Sequence, residues 1–448
     1  MRLDRFRSAD ERGQVLILVL IFFTAIAITV VAGVTAPITR ELRIGSDLQV
    51  SKQIYFTAEA GSEDAYYRIR NNLTVSFPIT LSLGGATSTV NLTVLDAANK
   101  EIVSQGNARD LIRIVVKNIT VTDSFDFKFA LQTGVGGISL HNNASINGDV
   151  YSNGSVVSSN TSPNSYNIIR GNVVSAGPAG FVNRVRATSS VYAHTITNAT
   201  IDKDAYYQTF AGATSSVTVA GVKYPNSVDQ SPIPFPISDT LIGQWESDAG
   251  AGGIATCTSG SYTISASVAI GPKKIPCNLS IIGNGTVVTL AGALWVTGNI
   301  SINGSGGSGV QMRVADSIGN KSVPVIADKP GDNDDSALIT INGNSNFYGS
   351  TGNADSYVML VSQNNSAETG DYDEELAINV INGATGNLLT YAPHGEIKLQ
   401  NNVNLREVTA YKITLTNNSV VNYTIGLAQP LFTSGAGDAW KIKRWKEK

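Results

Sequence analysis

The side chains able to do chemistry are few and scattered. Three histidines, His141, His194 and His394, stand far apart, and none has a neighbour at metal-ligand spacing. The two cysteines, Cys257 and Cys277, form no CxxC motif, so they are either a disulfide or two unrelated buried thiols. No G-x-S-x-G elbow, phosphate-binding loop or dinucleotide fingerprint occurs. Two acidic clusters remain: Asp332, Asp334 and Asp335, then Asp371, Asp373, Glu374 and Glu375. Clustered carboxylates can hold calcium or, on a β-helix face, cleave polysaccharide. Neither cluster has the glycine at the sixth position of an EF-hand loop, and both fall between strand-like runs, where acidic turns are ordinarily solvated. The expectation is a non-enzymatic chain with no catalytic centre, no metal and no cofactor; calcium at Asp332, Asp334 and Asp335 is left open.

Composition points to the elements that make up such a chain. Charged residues are only 15% of the 448, against about 25% in ordinary globular proteins. Gly, Asn, Ser, Thr, Val and Ile dominate instead, which suits stacked strands with polar turns better than surface helices. The 32 basic and 35 acidic residues leave a formal net charge of -3, so no basic field is available to bind nucleic acid. Hydrophobic residues at 42% are ample for a core.

Residues Val15 to Val34 are apolar except for Thr24, Thr29 and Gly33. About 20 such residues, at 1.5 Å each, cross a hydrocarbon layer of ~30 Å. Arg2, Arg5, Arg7 and Arg12 precede the run, which favours a cytoplasmic amino terminus and an exported remainder. A cleaved secretory signal is the competing reading, but the helical pattern continues past the run. Ile38, Leu42, Leu48, Tyr55, Ala58, Ala65 and Ile69 recur at three-to-four spacing or its multiples, with Arg43, Asp47, Lys52, Glu59 and Glu63 between them. One helix from Gln14 to Arg70 is expected, kinked at Pro37. An exported chain also favours the disulfide, whose loop is worth about 3 kcal/mol by the chain-entropy estimate.

The stretch from Arg12-Gly13-Gln14-Val15-Leu16 to Phe56-Thr57-Ala58-Glu59-Ala60 resembles the amino-terminal region of PilX-type minor pilins of type IV pili. The resemblance covers roughly the first 70 residues. It implies cleavage by a prepilin peptidase between Gly13 and Gln14, a leader of residues 1–13, and packing of the helix among pilin-like subunits. Phe22, Phe23, Phe56 and Glu59 are the residues assigned to assembly; the alternative places the phenylalanines in lipid and Glu59 in water. Leu18 occupies the position where major pilins carry a glutamate, which argues against a main filament subunit.

Beyond the helix (residues 14–72) the period changes to two. The runs 79–83, 89–94, 111–116 and 125–129 predict a small antiparallel sheet over residues 73–133. After Gly134 a short repeat appears: Ser145-Ile146-Asn147-Gly148, Ser301-Ile302-Asn303-Gly304, Thr340-Ile341-Asn342-Gly343 and, more loosely, Val380-Ile381-Asn382-Gly383. Short β runs turned by Gly and Asn predict a parallel β-helix (solenoid) over 134–448; a β-sandwich is the alternative. Pro225, Pro232, Pro234 and Pro236 predict an insertion at about 180–285 that holds the cysteine loop. Within it, a helix starts at a capping Ser238, and Ile233 and Phe235 could dock on the solenoid. The alternating Trp440-Lys441-Ile442-Lys443-Arg444-Trp445-Lys446 reads as a terminal strand capping the solenoid. Frequent Asn-x-Ser/Thr triplets, Asn278, Asn299 and Asn422 among them, follow from composition as readily as from glycosylation, and asparagine ladders account for them equally well.

Three functional readings follow. The first is a membrane-anchored minor pilin or pseudopilin, a single-pass protein of the cell envelope with its carboxy-terminal region extracytoplasmic. Its partners would be membrane lipid, other pilin-like subunits and prepilin peptidase. The second is an anchored adhesin that binds surface glycans outside any filament, and the third an envelope polysaccharide-acting β-helix enzyme.

Overall fold

Helix α1 runs from Asp10 to Arg70 and passes through Pro37 without ending. The computed structural model describes residues 10–70, 75–95, 99–121, 127–210, 217–353, 355–370, 376–423, 431–432 and 440–447. The chain divides into two units, residues 1–120 with 440–448, and residues 121–439.

In the first unit, the two halves of α1 have different surroundings. Residues 15–35 are exposed along their whole length, and the span is apolar and long enough to cross a membrane. Its threonines return their hydroxyls to the helix: Thr24 donates to Leu20 O and Thr29 to Ala25 O, each at 2.8 Å. No side-chain polar group of these two residues then needs water, which is the condition a hydrocarbon setting imposes. From Val50 onward one stripe is buried: Ile54, Ala58, Ala65 and Ile69, at helical spacing. It packs on an antiparallel sheet of β1 (Ile79–Leu83), β2 (Ala86–Val94), β3 (Asn99–Ala108) and β4 (Leu111–Val121). Gly61 and Gly106 mark the closest approach. A Cβ on Gly106 would stand 2.5 Å from Ile54 O, and one on Gly61 2.3 Å from Ser88 Oγ.

The sheet has a fifth strand, Trp440–Glu447, beside β4. It does not cap the solenoid. Its alternating pattern fits any half-buried edge, and the edge it takes is that of β4, where Arg113 pairs with Glu447 at 3.2 Å. Strand β3 escaped the sequence reading because Asn99-Lys100-Glu101 and Gln105-Gly106-Asn107 dilute its apolar residues. The expected strand at 125–129 is not one over its described residues; Phe127 is instead a buried member of an apolar cluster.

The second unit is a parallel β-solenoid. One sheet takes a strand from each of 12 coils, from Thr218–Val219 at one end of the stack to Val268–Ile270 at the other. The chain does not wind from end to end. It enters mid-stack at Leu131–Leu140, winds outward to Lys223–Pro225, and later winds back from Ser261–Ile264 at the far end. The returning strand Glu407–Leu415 pairs in parallel with Leu131–Leu140, so the first and last coils are neighbours. An aliphatic ladder crosses that seam without a gap: Leu279, Ile300, Ile339, Ile378, Ile397, Ile413, Ile138, Val156, Val182 and Ile196 are successive register partners, all buried. Each coil covers the next one's apolar face, which no coil could bury alone.

Asparagines do the turning. Asn142 donates to Asn417, Asn417 to Asn401, Asn401 to Asn382 and Asn382 to Asn342, at 2.9–3.1 Å. Asn142, Asn382, Asn401 and Asn417 all have positive φ, the left-handed conformation that asparagine tolerates.

The interruption expected over 180–285 is shorter than that. Strands from Phe181–Asn183 to Lys223–Pro225 continue the coils, and coiling resumes at Ser261. Residues 226–260 form a strap along the outside of the stack. Asp229 meets His194 at 3.0 Å, Ser231 O accepts from Tyr151 at 2.6 Å, Pro234 O from Gln132 at 2.8 Å, and Ile237 O from Tyr391. Phe235 packs against Tyr391. Helix α2 (Asp239–Ala251) follows, its Leu241, Ile242, Trp245 and Ala249 turned inward. Ser238 stands at its N-cap position but its side chain makes no cap bond; its carbonyl accepts from Leu241 and Ile242. Cys257 and Cys277 are joined in a disulfide that fastens the end of the strap to the returning coils.

Candidate functional site

Gly13 and Gln14 lie in the first turns of α1. Phe22 and Phe23 are each 64% exposed and Phe56 59% exposed. Glu59 is half-exposed, on the opposite side of the helix from the stripe that seats on the sheet. These residues share no pocket and coordinate nothing. They belong to one elongated surface, the bare side of α1, whose exposed residues include Leu16, Leu20, Ile28 and Val31. An apolar surface that large on a single helix requires lipid or protein against it.

A second feature, invisible to the motif search, is a cleft of about 460 Å³ beside α2. Asp239, Gly243 and Glu246 come from α2; Asp328, Pro330 and Asn333 come from the loop after the strand Lys321–Ala327. Gln363, Asn365, Glu368 and His394 complete the wall. Glu246 is 8% exposed, hydrogen-bonded to Asp328, and its carboxyl is pushed up to about 9 by burial, then by the charge of Asp328. His394 bridges Glu368 and Asp239, the latter at 3.2 Å. Burial works against its charge, but the bonds to Glu368 and Asp239 prevail and raise its pKa. A signal for the cleft was present in the sequence: Glu246 follows Trp245 and stands one turn from Ile242, which puts an acid at the margin of the helix's buried stripe.

Asp332, Asp334 and Asp335 do come together, with ligand atoms within 4.8 Å of one another. Asp332 is already engaged by Lys329 and by Ser336 Oγ at 3.0 Å, and these hydrogen bonds hold its carboxyl below the usual range. The second acidic cluster, Asp371, Asp373, Glu374 and Glu375, lies outside the described residues. The histidines remain apart: His194 pairs with Asp229 on the strap, and His141 belongs to a turn of the Asn142 ladder. Several triplet asparagines are committed internally, Asn278 Oδ1 accepting from Asn299 N at 2.9 Å and Asn299 Oδ1 from Leu338 N at 3.0 Å.

No protein-family model matches the chain, and no curated protein matches it. Among solved structures, the crystal structure of the competence-associated pilin ComZ from Thermus thermophilus aligns with 89% of this chain and 97% of its own. The identity is 13% and the TM-score 0.34, a degree of likeness that carries no argument about function.

Proposed function

We propose that the chain is a membrane-anchored structural component of a type IV pilus-like surface filament, a minor pilin or pseudopilin that displays a rigid β-solenoid outside the cell. Helix α1 is the observation that carries this reading. It is one helix of 61 residues whose first half is apolar and bare, and whose second half is a wall of the sheet unit. Such a helix has two successive environments available, lipid before assembly and the helices of neighbouring subunits after it. Both satisfy the same apolar side chains, Phe22 and Phe23 among them. The internally bonded threonines suit either.

Prepilin peptidase would cut between Gly13 and Gln14, leaving Gln14 as the mature amino terminus. The disulfide suits an oxidising, extracytoplasmic compartment. The role is mechanical: helix burial drives assembly, and the coils, fixed by parallel pairing and asparagine ladders, present a surface that does not deform.

Mass spectrometry of the chain recovered from membranes of a host with an active prepilin peptidase tests the reading. A methylated Gln14 as first residue supports it. A chain that keeps Met1 under those conditions refutes it and leaves an anchored adhesin, which shares the helix but not the cleavage.

A further inference from the structure

We propose that the cleft beside α2 is a binding site for a hard divalent cation of the calcium type, held by Glu246, Asp328 and the amide oxygen of Asn365. Two buried oxygens there have no hydrogen-bond partner, Glu246 Oε1 and Asn365 Oδ1. Both are acceptors, so the missing ligand supplies positive charge or protons, and anions are excluded. Glu246 and Asp328 are each 8% exposed and face each other as a hydrogen-bonded pair. Two acids buried that closely need a positive species between them.

The protein's own cations are committed elsewhere. Lys274 sits over the Trp295 ring at 3.5 Å, Lys329 pairs with Asp332, and His394 pairs with Glu368 and Asp239. No ion pair reaches Glu246 or Asp328 among the described residues. The loop is also preorganised: Asn333 Nδ2 donates to Asp328 Oδ1 at 2.7 Å, while Asn333 Oδ1 accepts from Lys329 N at 2.9 Å.

Carboxylate and amide oxygens are the donor set of calcium, and the cleft leaves room for the waters that complete six to eight ligands. A sugar is the poorer fit, since no aromatic side chain lines the cleft to stack on a ring. The neighbouring triplet Asp332, Asp334 and Asp335 lacks the corresponding feature: Asp334 and Asp335 are exposed, and Asp332 is already bonded.

The test uses the full chain in detergent, stripped with EDTA and titrated with Ca²⁺ by calorimetry, with thermal unfolding followed in parallel. One ion per chain and a rise in Tm are expected. Glu246→Gln and Asp328→Asn should each weaken binding on the order of tenfold or more, while the triple variant D332N/D334N/D335N binds as the parent does. Circular dichroism checks folding; should Glu246→Gln not fold, Asn365→Ala, at a half-exposed position, carries the same expectation. Absence of Ca²⁺ binding by the parent overturns the proposal. So does binding that survives Glu246→Gln and Asn365→Ala, or that is lost only in the triple variant.

Discussion

Replacing Gly106 by alanine tests whether α1 sits on its sheet as closely as described. The added Cβ would stand 2.5 Å from Ile54 O, 2.9 Å from Ile54 Cγ2 and 3.2 Å from Ala58 Cβ. Ordinary contacts between such atoms lie near ~3.5–4.0 Å, so helix and strand must separate by about 1 Å. The obstructing atom is a helix carbonyl, which cannot rotate away as a side-chain tip would. Ile54 and Ala58, both fully buried, lose contacts in the process. Overpacking of this kind costs about 1–3 kcal/mol. Removing a glycine from a strand returns about 0.5–1 kcal/mol, so the net loss is about 1–2 kcal/mol, a factor of roughly 5–30 in the opening equilibrium.

Gly45 is the internal control. It lies in the same helix with nothing within 4 Å of its would-be Cβ, so Gly45→Ala gains about 1 kcal/mol. Hydrogen exchange of the detergent-solubilised chain, read by mass spectrometry over peptides spanning 50–69, measures both. Exchange there should accelerate in Gly106→Ala, and slow around residue 45 in Gly45→Ala. If Gly106→Ala leaves exchange unchanged or slower, the close approach of α1 to β3 is wrong.

Three further outcomes follow from the solenoid unit. Glu407 is fully buried, with Oε2 unpartnered; burial raises its pKa far above the carboxylate range although Thr409 donates to it. Its contribution is therefore complete below the unfolded value of about 4.3 and declines as pH rises above it. Glu407→Gln should flatten this dependence, its Tm gaining on the parent's between about pH 5 and pH 8; parallel profiles would contradict the assignment. Trp245→Ala empties the cluster that seats α2, where the indole packs 4.8 Å from the Phe432 ring, at a cost of about 3–5 kcal/mol. Limited proteolysis should then cut residues 226–260 well before the coils, and equal resistance of strap and coils would argue against it. Serine at both Cys257 and Cys277 should cost about 3 kcal/mol through the restored freedom of the loop, read as a lower Tm, and an unchanged Tm would show the strap end held without the bond.

The sequence disclosed whatever depends on local pattern. Twenty apolar residues after a cluster of arginines, then a three-to-four period, suffice for α1, because nothing distant decides whether such a segment is helical. The Ser-Ile-Asn-Gly repeat led to the solenoid but could not set its register. Ser301–Gly304 does stack on Thr340–Gly343, yet Ile341 pairs with Val380, one residue out of step with the fourth copy. The first copy lies on another face, with Ile146 against Val421. Coil length explains the failure of period counting. It is 16 residues from Ile397 to Ile413 and 39 from Ile300 to Ile339, because loops of any size can leave the stack between strands. Long-range partners were illegible for the same reason. The tail 440–447 pairs across more than 300 residues of chain with β4, and Glu246 meets Asp328 only because the strap lays α2 over the coils.

The mid-stack entry has a physical rationale that joins the two units through their connectivity alone. Strand β4 and the strand Trp440–Glu447 are neighbours in one sheet, yet the whole solenoid lies between them in sequence. A solenoid wound from one end to the other would separate its own ends by about 50 Å for 12 coils at roughly 4.8 Å each. Long linkers would then have to span that distance, at an entropic cost and with no contacts to offset it. Winding outward from the middle, returning along the outside and winding back brings first and last coils side by side, as the pairing of Leu131–Leu140 with Glu407–Leu415 records. The strap is what that solution requires, and its polar backbone is satisfied by side chains of the coils it crosses: Tyr151, Asn153, Gln132 and Tyr391. Coils can be added at either end of such a stack without moving its entry and exit, so the displayed length can vary while the sheet that holds it stays the same.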